Sequence, residues 1–401
     1  MIPLRIIGQD PPVKEIHSQP SPFNLWGYGF RPFFLLGSAA ASALMALWLF
    51  SLASIRNLSP ALSGPLWHAH EMYFGFTVAI IAGFLLTAVP NWTGIPTPRG
   101  RPLAALVLTW FLGRLASWQG SPLAWVDLAF LPLLAMVLAG PLVRARKLNN
   151  LVFLPVLGWL AMANTVFWWG IHQQQIELSR HALSATLYAI LTLIAIIGGR
   201  VIPFFTEKAI EGYTSSKWVV LEVACGMSLV VAAVAEIQPN WPASMRALTF
   251  FALAAVHLAR WLRWWDAQVL TVPLLWILYL GYAFLPLGLT MKGLVWLGIG
   301  TPSAATHALT AGCIGVMCLG MMARVALGHS GRPLQTRPAI VASFVLICLA
   351  GGVRSLIPFF WPQYSWSAWW LAGTLWCAAF AIYAGVYAPI LTSPRADGKP
   401  G

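Results

Sequence analysis

Tyr73-Phe-Gly-Phe-Thr-Val-Ala-Ile-Ile-Ala-Gly-Phe-Leu-Leu-Thr-Ala-Val-Pro90 is a run of eighteen residues without a charge, entered through Trp67-His-Ala-His-Glu-Met72. Wound as an α-helix at about 1.5 Å per residue it reaches roughly 27 Å, close to the thickness of bilayer hydrocarbon. Eleven further apolar runs, the first near 33–52, the third near 102–118 and the last near 365–390, repeat the pattern along the chain. The expected fold class is therefore an all-α integral membrane protein with twelve transmembrane helices. Connections such as Gln119–Pro122 and Gln238–Pro242 are too short for a soluble domain. The expected organisation is an N-terminal segment over 1–30, a membrane domain over 31–390 and a tail over 391–401.

Composition supports the same class. Hydrophobic residues make up 59% of the 401, charged residues only 9%, and mean hydropathy is +0.74; one soluble core cannot hide that much apolar surface. The formal charge of +13 is a topology signal rather than a nucleic-acid patch, because the basic residues lie mostly in short loops. With both termini inside, the cytoplasmic segments hold eighteen of the 24 Lys and Arg, among them Arg144, Arg146, Arg263, Arg332 and Arg395, and the outer segments hold six. That bias predicts a bacterial cytoplasmic membrane protein with both termini cytoplasmic. The first thirty residues contain no apolar core of signal-peptide length. Cys225, Cys313, Cys318, Cys348 and Cys377 all fall within predicted spans and read as buried thiols.

Histidine placement carries the chemistry. His68 and His70, His181 in His-Ala-Leu-Ser-Ala185 and His307 in His-Ala-Leu-Thr-Ala311 open the second, sixth and tenth spans, an imidazole once every four helices at one membrane depth. Helices that recur with a period of four point to three four-helix arcs in a pseudo-threefold arrangement. Imidazole is costly in lipid and normally faces a bundle interior; neutral, it ligates heme iron and suits copper. His68, His70, His181 and His307 are thus candidate cofactor and metal ligands, with His70 and His307 expected as an axial pair. His68 and His70 stand about 200° apart on a helix, so at most one faces a given site. Cys313 and Cys318, about 140° apart, read as packing, and His329 belongs to the opposite face. His257 lies deep in the eighth span, His17 and His172 in exposed positions, and Arg31, Arg200 and Arg324 read as helix-end anchors. Glu71 and Asp127 fall near the outer boundary and Glu222 near the inner one, leaving no mid-membrane acid for a carboxylate-driven pump. Phosphate-loop, nucleophile-elbow and HExxH motifs are absent.

Gly29-Phe-Arg-Pro-Phe-Phe-Leu35, Trp67-His-Ala-His-Glu-Met72 with Gly75, Ala82-Gly-Phe-Leu-Leu-Thr-Ala-Val-Pro-Asn-Trp-Thr-Gly94, Gly199-Arg-Val-Ile-Pro-Phe-Phe-Thr206 and His307 through Met321-Met-Ala-Arg-Val-Ala-Leu-Gly-His-Ser-Gly-Arg332 together resemble the NnrS family over nearly the whole chain. The resemblance implies a polytopic inner-membrane protein with heme and copper, tied to nitric oxide, denitrification and nitrosative stress. It further implies an architecture similar to the catalytic subunit of heme–copper oxidases. The chain departs from the oxidase pattern: it lacks the paired histidines after the seventh helix and has only His307 on the tenth. The function expected is a heme protein, with copper a second candidate metal, that binds, senses or helps detoxify nitric oxide beside other denitrification membrane proteins. The rivals are a secondary transporter of a small solute, since twelve helices are a common carrier layout, and an accessory protein handing heme or copper to a nitric-oxide reductase.

Overall fold

The computed structural model describes residues 23–54, 62–119, 123–146 and 148–399. His17, Arg56 and Lys147, and most of the expected N-terminal segment, lie outside the described residues. All regular elements among those described are helical. In chain order the long ones are α1 (Phe30–Ser54), α2 (Gly64–Thr93), α3 (Arg101–Gln119), α4 (Ala124–Arg144), α5 (Phe153–His172), α6 (Ile176–Ala209), α7 (Val219–Ile237), α8 (Ala243–Trp264), α9 (Pro273–Trp296), α10 (Pro302–His329), α11 (Pro338–Phe360) and α12 (Ser365–Thr392). All but α3 are long and apolar enough to cross a membrane, which makes this a multi-pass membrane protein. The less apolar α3 carries Arg114 in a largely buried position, where acids of α2 and α4 compensate it.

Each helix packs against its neighbour in sequence, and α12 closes the ring against α1. Inside the ring α2 touches α6, α6 touches α10 and α10 touches α2. These three are also the most enclosed: 89% of the apolar window of α2 and of α10 is buried, and 72% of that of α6, against 33% to 44% for most outer helices. Helices four apart in the chain thus meet at the centre, as the histidine spacing led us to expect.

Helix starts fall earlier than the hydrophobic runs do. α2 begins at Gly64 with Pro65 in its first turn, a position where a missing N–H costs nothing, so His68 and His70 lie within the helix rather than before it. α10 begins at Pro302 after Thr301, whose side chain accepts from the Ala304 N–H at 3.3 Å. At its far end α2 stops at Gly94, whose φ of 74° returns its N–H to the Pro90 carbonyl at 2.8 Å.

Two helices share an irregularity. α2 passes into a π-helix over Glu71–Thr77, directly after His70, and α10 does so over Ala308–Gly315, directly after His307. Each holds a glycine five residues past the histidine, Gly75 and Gly312. The wider turn is uncommon and is found mostly at functional positions.

Candidate functional site

α1, α2, α10, α11 and α12 enclose a cavity of about 360 Å³ whose walls are mainly apolar, within the size range of cofactor and small-molecule sites. Two imidazoles face it, His68 from α2 and His307 from α10. The His68 ring stacks on Trp48 with centroids 4.9 Å apart and planes 12° from parallel, and its Nδ1 is buried without a hydrogen-bond partner. His307 holds its Nδ1 2.7 Å from the Ser303 carbonyl, one turn back. A carbonyl only accepts, so Nδ1 carries the hydrogen and Nε2 keeps the lone pair, the tautomer and orientation typical of a metal-bound histidine. Arg354 of α11 and Trp369 of α12 line the same space.

The structure does not bring His70 to that cavity. Its Nδ1 lies 3.0 Å from Glu71 Oε1, and its Nε2 lies 3.1 Å from Asn164 Oδ1 and 3.2 Å from Asp127 Oδ2. Both ring nitrogens therefore donate, and neither offers a lone pair. Around His70 a buried network closes: Arg114 bridges Glu71, at 2.9 Å, and Asp127. Ser117 Oγ donates to Glu71 at 2.7 Å, and Asn164 and Trp168 donate to Asp127 Oδ2 at 2.8 and 2.9 Å. Two carboxylates thus face one guanidinium and one imidazolium, the balance a low-dielectric interior requires. The expected axial pairing of His70 with His307 finds no shared space here, and His68 takes the place on the cavity wall.

The remaining candidates divide simply. His181 is exposed in the first turns of α6 and does not line the cavity. His257 lies between Ser228 Oγ at 2.8 Å and Tyr282 Oη at 2.7 Å, beside Arg260, which pairs with Glu222. His329 packs on Phe30 at the opposite end of α10. Arg31 donates to the carbonyls of Leu391 at 3.0 Å and Ser393 at 2.5 Å, Arg200 to Asn150 at 2.9 Å, and Arg324 lies 3.8 Å from the Phe205 ring centroid; all three tie helix ends together. The five cysteines are free thiols, three of them buried. Among the described residues no group of three or more His, Cys, Asp or Glu side chains stands ready to hold a metal ion. Sequence reasoning missed Arg354 and Trp369 as site residues. Their one visible signal was an arginine inside the apolar eleventh run.

Fold and cavity together define a multi-pass helical membrane protein with a paired-imidazole pocket at one end of its central helices. A search of curated proteins gives no match to the chain. The family model described as NnrS protein matches residues 24–395, and the chain belongs to that family. Membership places it, at the level of the family, among nitric-oxide-related membrane proteins.

Proposed function

We propose that the cavity between α2 and α10 binds heme and that nitric oxide is bound there. One observation carries the reading: imidazoles from two central helices face a single apolar cavity, and one of them holds a buried nitrogen with no partner. The donor set fits the group. His307, oriented by Ser303, would hold the iron through its Nε2, and His68 would stand as a second imidazole on the cavity wall. Heme iron, when bound, supplies a coordination position for a diatomic ligand and a redox centre. Met45 and Met72 line the same cavity, and their thioethers are the soft donors that Cu(I) prefers, so copper is best sought beside His68. On the positive-inside bias the cavity opens to the outer face of the cytoplasmic membrane, and we assign the protein a role in denitrification or nitrosative stress.

The test is the absorption spectrum of protein purified in mild detergent after expression with heme supplied, with metal analysis. A Soret band at stoichiometric heme that shifts on adding nitric oxide is expected. His307→Ala should abolish it and His68→Ala should alter it, while His329→Ala, at the other end of α10, keeps it. A wild-type protein that folds but shows no Soret band overturns the proposal.

A further inference from the structure

Arg354 is a cation with no counter-ion among the described residues. It lies within α11, where its Nη2 donates to Ser303 Oγ at 3.0 Å and its guanidinium carbon lies 5.4 Å from the Trp369 ring centroid. Its Nη1 is buried and reaches no acceptor. Among the described residues no carboxylate pairs with it, whereas the buried Arg260 and Lys292 and the largely buried Arg114 each have at least one. Charge in a membrane interior is retained where something compensates it. Trp369 Nε1 is a second buried donor without an acceptor, and both residues line the cavity that holds His68 and His307. Ser303 is exposed and stands one turn before His307, while Ile314 and Trp376 on the same cavity are buried. The donors therefore gather at the mouth, and the depth is apolar.

We infer that Arg354, with Trp369 and Ser303 beside it, is the anchor for a carboxylate of the ligand, so that the cavity takes an apolar body with an anionic edge turned to its mouth. The inference rests on the heme reading above, since heme carries its two carboxylates on one edge. It adds the residue that sets which way round the ligand lies and makes an uncharged analogue bind more weakly. An arginine and a carboxylate match as paired donors and acceptors, and a hydrogen-bonded ion pair of this kind contributes about ten- to a hundredfold in affinity.

The experiment titrates the heme-free full-length protein in detergent with hemin and, separately, with hemin dimethyl ester, following absorbance. Wild type should bind the free acid at least about tenfold more tightly than the ester. Arg354→Gln should bring the acid down to the ester's affinity and leave ester binding unchanged; Arg354→Lys should restore part of the preference. Equal binding of acid and ester by wild type overturns the anchor while leaving the heme reading intact, and this arm decides even where a variant fails to accumulate. A preference for the acid that survives in Arg354→Gln overturns it equally. Wild type that binds neither compound removes the heme reading and the anchor with it.

Discussion

Two steps along a helix turn a side chain through about 200°, and on α2 that rotation separates an imidazole that faces the cavity from one that closes a charge network. His68 keeps a free nitrogen; His70 has both committed to Glu71, Asn164 and Asp127. Replacing His70 by Ala leaves Glu71 and Asp127 facing Arg114 alone in a buried site. Breaking a buried ion pair by removing one partner costs about 3–5 kcal/mol. We therefore expect His70→Ala to lower the midpoint of thermal unfolding in detergent while whatever protein remains folded keeps its heme band. Loss of the band at unchanged stability would return His70 to the ligand set. The sequence showed that only one of the two could face a given site, but not which. Besides its neighbour Glu71, the partners of His70 come from α4 and α5, and nothing in the local pattern of α2 announces them.

A π-segment follows the histidine in two of the three central helices. Over Ala308–Gly315 the chain takes a wider turn than an α-helix, which absorbs about one residue more than an α-helix turning through the same angle. Deleting Ala311 would remove that residue and let the segment close as α-helix, with His307 and the buried face of the rest of α10 close to their present places. The expected result is heme binding retained with the far-UV circular dichroism unchanged; a deletion variant that folds but loses heme would show that the wide turn itself shapes the site. The neighbouring helix sets a second condition. A Cβ added at Gly351 would meet Gly312 Cα at 2.8 Å, whereas one added at Gly352 would meet nothing within 4 Å. Small residues let membrane helices approach this closely. Gly351→Ala should therefore cost about 1–3 kcal/mol through overpacking and weaken heme binding by pushing α11, with Arg354, away from α10. Gly352→Ala should do neither. None of this was legible beforehand, because hydrophobic runs fix that a helix forms but not its turn width, and close approach depends on which two glycines face each other.

At the scale of the whole molecule the readable part was the spacing. Histidines at the starts of the second, sixth and tenth runs marked helices that meet at the centre of a closed ring, because residues too polar for lipid go to the interior. What the spacing left out was that the three positions are not equivalent: His181 is exposed and α6 has no π-segment among its described residues, so only two of the three arcs furnish the cavity. The same global argument leads us to propose an orientation. Eighteen of the 24 basic residues fall on one side of the predicted topology, and those that hold the ends of α1, α10 and α12 together, Arg31 and Arg395, belong to that side. Ile299, in the turn between α9 and α10, is exposed beside the cavity end, and Ala396 is exposed at the other. In intact cells stripped of the outer membrane, a cysteine substituted for Ile299 should react with a membrane-impermeant maleimide, and one substituted for Ala396 should react only after the membrane is permeabilised. The native cysteines, buried or half-buried in the spans, supply the background to be subtracted. The reverse labelling pattern would place the cavity on the cytoplasmic face, and the paired imidazoles would then meet nitric oxide from inside the cell.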